Sequence, residues 1–99
     1  MKKSLFTIRK KKHTKHPQIV LKVTKTSFSS VGLTHSSGDR KHRNKKLFRN
    51  PNPEDNRQAY YSRHLIEDFK FNYTKAFKNY SLSNEDIDEL IEFLESKKK

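Results

Sequence analysis

One apolar segment, from Gln18 to Thr24, constrains the fold more than any other part of the 99-residue chain. It is rich in Ile and Val, which favour strands, and it follows Pro17, whose missing N–H restricts it to an edge strand or to the start of a strand. A short polar stretch, residues 25–27, then leads into a second apolar segment from Phe28 to His35. The two segments and the turn between them predict a β-hairpin.

The alternation of side chains along a strand predicts which residues of this hairpin share a face. Ile19, Leu21 and Val23 are expected on one face of the first strand, and Val20 is expected on the other. Gly32 lies inside the second strand, where glycine predicts either a bulge or the close approach of another backbone or a ligand. A bulge is the favoured interpretation.

The middle of the chain predicts loops and short strands. Residues 36–46 have the composition of a loop, and residues 45–49 predict a third strand. The repeated Asn-Pro pairs of residues 50–53 predict a turn, because the residue before each proline is pushed away from helical geometry. Residues 57–64 fit either a strand or a first helical turn, and we favour a strand.

Two helices are predicted in the last third of the chain. Apolar residues at steps of three and four between Leu65 and Tyr80 trace one helix face, although Phe71 and Tyr73 also alternate with polar residues as in a short strand. Ser83 is the predicted N-cap of the second helix, since acids follow it in the first turn. The apolar face of that helix is expected to contain Ile87, Leu90, Ile91 and Leu94.

Together these elements predict an α+β domain, with a small antiparallel sheet of three or four strands followed by two C-terminal helices packed on one face. We expect residues 1–16 to form a mobile basic N-terminal arm, because a run of like charges repels itself. Residues 17–99 are expected to form a single small domain.

Positive charge is concentrated in the first half of the chain. Residues 1–49 contain 15 Lys and Arg and a single acid, whereas residues 50–99 contain 8 Lys and Arg and 10 acids; the two halves sum to the net charge of +12. A field of this sign attracts polyanions, of which nucleic acid is the most abundant in a cell. The predicted phosphate-binding residues come from the arm and from the loop of residues 36–46, which we call the basic loop. They are Arg9, Lys10, Lys11, Lys12, Lys15, Arg40, Lys41, Arg43, Lys45 and Lys46.

Composition excludes several classes of protein. There is no cysteine, so the chain has no disulfide framework, thiol nucleophile or cysteine-based zinc site. No apolar run approaches the roughly 20 residues that a membrane span needs, and no apolar segment typical of a secretory signal follows the basic N-terminus. We therefore expect a cytoplasmic protein with no cofactor and no metal site.

Histidines in and near the basic half suggest a second kind of chemistry. Cleavage of RNA without a metal requires a base, an acid and cations beside the phosphate, and histidine transfers protons near neutral pH. His16 and His35 supply these groups if the fold brings them together with the other candidates, which are Thr34, Arg40, Arg43, Arg57 and Tyr60. The residue types alone form no spacing motif, so phosphate-contacting or surface histidines are the favoured interpretation.

Three short strings carry a resemblance to a known class of proteins. They are residues 15–19 (Lys-His-Pro-Gln-Ile), residues 32–36 (Gly-Leu-Thr-His-Ser) and the Asn-Pro-Asn-Pro segment with the Asp55, Arg57 and Ala59-Tyr60 that follow it. Over residues 15–61 the chain resembles small basic proteins of bacterial mobile elements, some of which are grouped with MazF/PemK-like or RelE-like toxin ribonucleases. The acidic C-terminal helix does not match either group. The resemblance implies RNA as substrate, with catalytic roles for His16, His35 and Arg57.

The function expected from the sequence is the binding of nucleic acid, RNA ahead of DNA, through the arm and the basic loop. A metal-independent endoribonuclease of the toxin type is the first alternative. The second alternative is a phage or plasmid inhibitor that docks on a nucleoprotein enzyme, with its basic face on nucleic acid and its acidic helix on a protein partner.

Overall fold

The computed structural model describes residues 5–14 and 16–97. Within this part of the chain, six strands precede a single α-helix. The strands are β1 (Ile8–Lys10), β2 (Pro17–Val23), β3 (Ser27–Thr34), β4 (Lys45–Lys46), β5 (Tyr60–Tyr61) and β6 (Ile66–Phe69). A 3-10 helix (Lys70–Asn72) follows β6, and the α-helix α1 (Asn84–Ser96) is the last element.

All six strands belong to one antiparallel sheet, in which β3 is the central strand. The order is β1-β2-β3-β5-β4, and β6 also pairs with β3. The first half of β3 pairs with β6, and its last two residues, Leu33 and Thr34, pair with β5. The hairpin predicted from the sequence is confirmed as β2 and β3.

The predicted fold class is wrong in both of its parts, since the sheet has six strands and, in the part of the chain that the structure describes, a single α-helix follows it. Residues 65–80 do not form the expected helix and instead contain β6, the 3-10 helix and irregular backbone. The reason is backbone pairing, because β6 satisfies the N–H and C=O groups of β3 between Ser27 and Ser30. The need of these β3 groups for hydrogen-bond partners does not appear in the periodicity of residues 65–80.

The backbone after β6 also reaches the outer edge of β1. The N–H of Thr74 donates to the carbonyl of Lys10 (2.8 Å), and the N–H of Phe77 donates to the carbonyl of Ile8 (2.8 Å). The segment expected to be an N-terminal arm therefore contributes a strand, β1, that is paired with β2 on one side and bonded to residues 74–77 on the other.

The sheet buries apolar side chains on both of its faces. The larger core, which contains Ile19, Leu21 and Val31, is covered by α1, and the smaller one contains Val20, Phe28 and Tyr73. The expected separation of Ile19 and Leu21 from Val20 is confirmed, but Val23 packs with Val20.

An irregular pairing at Leu21 explains this exchange of faces. The register of β2 against β3 shifts between Val20 and Lys22, so Leu21 is an extra residue that reverses the alternation after it. Gly32, where the sequence predicts a bulge, pairs in register with Gln18.

The helix α1 is confirmed with the predicted cap. The Ser83 hydroxyl accepts a hydrogen bond from the N–H of Asp86 (3.1 Å) and donates one to the Asp86 carboxylate (2.9 Å). Leu90 is completely buried, whereas Ile91, predicted on the apolar face, is 43% exposed. No helix of the described part of the chain is long and apolar enough to cross a membrane.

Candidate nucleic-acid interface

Four adjoining depressions form a polar groove near the C-terminal end of β3. The largest has a volume of about 610 Å³ and is lined mainly by the Asn-Pro turn of residues 50–53 and by residues 55–58. The second, of about 220 Å³, shares Asn50, Asn52 and Asp55 with the first. The third, of about 310 Å³, shares His16 and Thr34 with the second.

The fourth depression, of about 420 Å³, completes the groove and is its most basic part. It shares Asn44 and Ser62 with the third depression. Three separate parts of the chain supply its cations, namely the loop after β3, the residues after β5 and the end of α1. We use the name polar groove for the lining of all four depressions.

The charges along the polar groove are strongly unbalanced. Its lining contains a single carboxylate among the described residues, Asp55, and six basic side chains. Of these, Arg57 is bound to Asp55, and the other five form no ion pair with any described residue. These five are Lys41, Arg43, Arg49, Arg63 and Lys97.

A hydrogen-bonded cluster of Asp55, Arg57 and His35 lies between the first two depressions. Asp55 Oδ2 contacts His35 Nε2 at 2.8 Å. From the other side, Arg57 donates from Nε to Oδ1 (3.0 Å) and from Nη2 to Oδ2 (3.1 Å) of the same carboxylate. This bidentate contact fixes the carboxylate plane, and the carboxylate in turn fixes the orientation of the His35 ring.

The local sequence explains why this cluster forms. The N–H of Arg57 donates to Asp55 Oδ1 (3.0 Å), so the carboxylate caps the turn of the backbone that follows it. The Arg57 guanidinium and this N–H hold the pKa of Asp55 well below its usual range, and the contact with His35 acts in the same direction. Asp55 also raises the pKa of Arg57 through their hydrogen bonds and opposite charges. The pair is therefore ionised at neutral pH.

Four of the five histidines line the polar groove. His16 and His35 line the same depression, together with Asp55, and His42 and His64 line the basic fourth depression. Of the three residues predicted to be catalytic, His35 and Arg57 are thus joined through Asp55, and His16 faces the same depression as His35.

Of the nine predicted phosphate-binding cations that the structure describes, Lys41 and Arg43 line the groove and the other seven do not. Lys45 lies in β4 and forms an ion pair with Glu89 of α1 at 3.5 Å, and Lys46 beside it is exposed, as is Arg40. Lys15 lies outside the described residues.

The predicted cations of the N-terminal segment lie elsewhere. Arg9 donates to the carbonyl of Thr74 (3.1 Å), and its guanidinium lies 4.9 Å from the centre of the Phe28 ring. Lys11 forms an ion pair with Asp68 at 2.9 Å, while Lys10 and Lys12 are exposed. These residues form a second basic region, away from the groove lining.

Sequence reasoning missed Arg49, Arg63 and Lys97 as groove cations, because their segments meet only in the folded chain. It also placed Asp55 in a turn without a site role. The Asp-x-Arg spacing after the Asn-Pro turn was a usable signal, since a carboxylate that caps a turn can also bind an arginine two residues later.

Within residues 5–14 and 16–97, no three His, Asp or Glu side chains are grouped so that they could hold a metal ion. The chain matches no protein-family model, no curated protein and no solved structure.

Proposed function

We propose that this protein binds single-stranded nucleic acid, RNA ahead of DNA, along the polar groove. The observation that carries the proposal is the charge of the groove lining, which contains five basic side chains without ion-pair partners among the described residues and a single, compensated carboxylate. These cations lie in the first and fourth depressions, at the two ends of the groove, where they can bind the phosphates of a strand that crosses the two depressions between them and release its counterions. A cytoplasmic location, where RNA is abundant, is part of this proposal.

Two features favour a single strand over a duplex. The exposed face of α1 carries the acids Glu85, Asp88 and Glu92, so this helix is unsuited to the major groove of DNA. The groove also offers Asn and Ser side chains, which both donate and accept hydrogen bonds and suit exposed base edges and the ribose 2′-hydroxyl.

The salt dependence of binding tests the proposal. If all five cations contact phosphates of a single strand, the slope of log K against log salt is expected to be about −3.5, at roughly −0.7 per contact. Fluorescence anisotropy with an oligoribonucleotide of about 12 nucleotides measures this slope.

A pair of matched double variants connects the slope to the groove. Arg43→Gln with Arg63→Gln is expected to reduce the slope by about 1.4, because two phosphate contacts are removed. Lys75→Gln with Lys78→Gln removes the same charge from exposed positions outside the groove and should leave the slope near the wild-type value. A flat salt response of the wild type, or equal effects of the two variants, rejects binding in the groove.

The contact between His35 and Asp55 favours metal-independent RNA cleavage as a second candidate. In this reaction the ribose 2′-oxygen attacks the phosphorus, the bond to the 5′-oxygen breaks and a 2′,3′-cyclic phosphate forms. His35, oriented by Asp55, would take the proton of the 2′-hydroxyl, and His16, which lines the same depression, would give a proton to the leaving 5′-oxygen. In this reaction Arg57 acts as a positioning residue, because it holds Asp55.

Incubation of the protein with RNA in the presence of EDTA tests this candidate. Cleavage with a cyclic phosphate end is expected for the wild type and should be lost in His35→Asn. The matched control is His13→Asn, at an exposed histidine that does not line the groove. If intact RNA is recovered from the wild type, or both variants cleave equally, catalysis by His35 is rejected while the binding proposal is unaffected.

A further inference from the structure

We propose that Phe69 and Phe71 form a second nucleic-acid contact, on which a nucleobase stacks, at the end of β3 opposite the polar groove. The two rings stack on each other, with centroids 5.3 Å apart and planes only 9° from parallel. They belong to neither apolar core and are 53% and 69% exposed. We refer to this ring pair as the aromatic platform.

The backbone explains why both rings face outward together. Phe69 ends β6 and Phe71 lies in the 3-10 helix, so the chain changes direction between them. Lys70, the residue between them, points the other way, with its ammonium 5.6 Å from the centre of the Phe28 ring. Exposure of two large apolar rings is unfavourable in water, and a stacked base would cover the outer face of Phe71.

Cations of the N-terminal segment lie beside the aromatic platform. The N–H of Lys12 donates to the carbonyl of Asn72 (2.8 Å), which places the backbone of this exposed lysine next to the 3-10 helix. The nearest acid, Asp68, is bound by Lys11 (2.9 Å) and by the Asn72 amide (2.9 Å), so its charge is compensated.

The positive charge beside the aromatic platform favours a ligand that carries a phosphate. A nucleobase with its phosphate satisfies both features, because the base stacks on the ring and the phosphate meets Lys12. An apolar protein segment would use only the rings and would leave the exposed Lys12 without a counter-charge. The second basic region therefore has a ligand of the same class as the polar groove.

The distance between the aromatic platform and the polar groove determines whether a single nucleic-acid strand can contact both. Ser27 of β3 pairs with Phe69, and Thr34, seven residues later, lines the polar groove. At about 3.3 Å per residue the two positions are roughly 23 Å apart. An oligonucleotide confined to the groove cannot occupy the platform, whereas a longer strand can contact both surfaces and gain affinity from the second contact.

The inference rests on the proposed function for its ligand, and substitution of Phe71 by leucine tests it separately. Phe71→Leu keeps an apolar side chain and removes the ring face. Its affinity for an oligoadenylate of about 16 nucleotides is expected to fall roughly tenfold, the effect of losing one stacked base. Its affinity for an oligoadenylate of about 5 nucleotides should remain that of the wild type.

Ile91→Ala, at another exposed apolar residue, is the matched control and should bind both lengths as the wild type does. Ring-proton resonances of Phe69 and Phe71 provide a direct readout, since a base stacked on Phe71 shifts them upfield. Equal affinity of Phe71→Leu and wild type for the long strand overturns the inference, and so does the absence of an upfield shift.

The groove variant Arg43→Gln with Arg63→Gln separates this inference from the proposed function. If that variant binds weakly while Phe71→Leu binds normally, only the platform is rejected, and the exposed rings are then available to a protein. If Phe71→Leu binds the long strand weakly while the groove variant binds normally, the platform is retained and the groove is rejected. If the wild type binds neither strand, both proposals fail.

Discussion

Among single residues, Asp68 shows how a surface carboxylate depends on its neighbours. The Lys11 ammonium, the Asn72 amide and the N–H of Phe69 hold the pKa of Asp68 at about 2, below its ordinary value of 3.8. A carboxylate with a lowered pKa in the folded state stabilises the protein above its ordinary pKa, and this contribution is lost as the pH falls through the folded value. The contacts of the ionised Asp68 therefore stabilise the fold at neutral pH, and this stabilisation is lost when acid protonates the carboxylate.

The lowered pKa of Asp68 predicts how Asp68→Asn changes unfolding in acid. The melting temperature of the wild type should fall between pH about 4 and pH about 2, and the variant should show a smaller fall because it has no carboxylate to protonate there. Asp88→Asn, at an exposed position of α1, is the control and should follow the wild type. Parallel curves for wild type and Asp68→Asn would contradict the prediction.

The candidate site could be predicted only in part, for reasons that also belong to single residues. The basic character of the region follows from residue types, and the candidates His16, His35 and Arg57 follow from residue types and from the resemblance over residues 15–61. Asp55, which joins two of these, makes its contact with His35 across twenty residues, and no local pattern reports such a contact. Lys11 is a second example, since its charge predicts a phosphate contact and its ion pair with Asp68 of β6 is equally invisible in the local sequence.

Secondary-structure elements were predictable where their signals are local. The hairpin of β2 and β3 and the helix α1 follow from their own turn, cap and periodicity. The helix expected over residues 65–80 does not form because residues 66–69 pair with β3 as the strand β6. The residues of β3 that pair with them are about 40 positions earlier in the sequence, so the local pattern does not show this pairing. The strand β4 is shorter than expected because only Lys45 and Lys46 find partners on β5.

One buried carboxylate joins α1 to the loop after β4, in addition to the apolar packing of α1 against the sheet. Asp86 is 2% exposed and accepts hydrogen bonds from the N–H groups of Phe48 (2.7 Å) and Arg49 (3.1 Å), in addition to its contact with Ser83. One side chain therefore satisfies two backbone donors of the loop after β4 and the cap of α1. Its loss leaves buried polar groups without partners.

We expect Asp86→Ala to lower the free energy of unfolding by about 2–4 kcal/mol, the range for removal of a buried hydrogen-bonding group with several partners. Urea denaturation measures this change. Asp88→Ala removes an exposed acid two residues away and should cost less than about 0.5 kcal/mol. Similar values for the two variants would show that the contacts with Phe48 and Arg49 do not stabilise the fold.

For the molecule as a whole, two electrostatic effects compete. The net charge of +12 repels itself within a body whose longest dimension is 35 Å. Against this repulsion stand three ion pairs of Lys or Arg with carboxylates among the described residues, all at least partly exposed: Lys11–Asp68, Lys45–Glu89 and Arg57–Asp55. Surface ion pairs contribute little to stability, so the repulsion should exceed their combined attraction.

Salt should therefore stabilise the free protein, although it weakens binding of nucleic acid. An increase in ionic strength from about 0.02 to about 0.3 M shortens the screening length to well below the size of the molecule and should raise the melting temperature measured by circular dichroism. Lys75→Glu with Lys78→Glu lowers the net charge by four and should reduce this rise. A melting temperature that falls with salt would mean that the ion pairs outweigh the repulsion. In that case the repulsion among the cations of the polar groove would be weak, and a bound polyanion would gain little by neutralising them. Part of the electrostatic argument for nucleic-acid binding would then be lost.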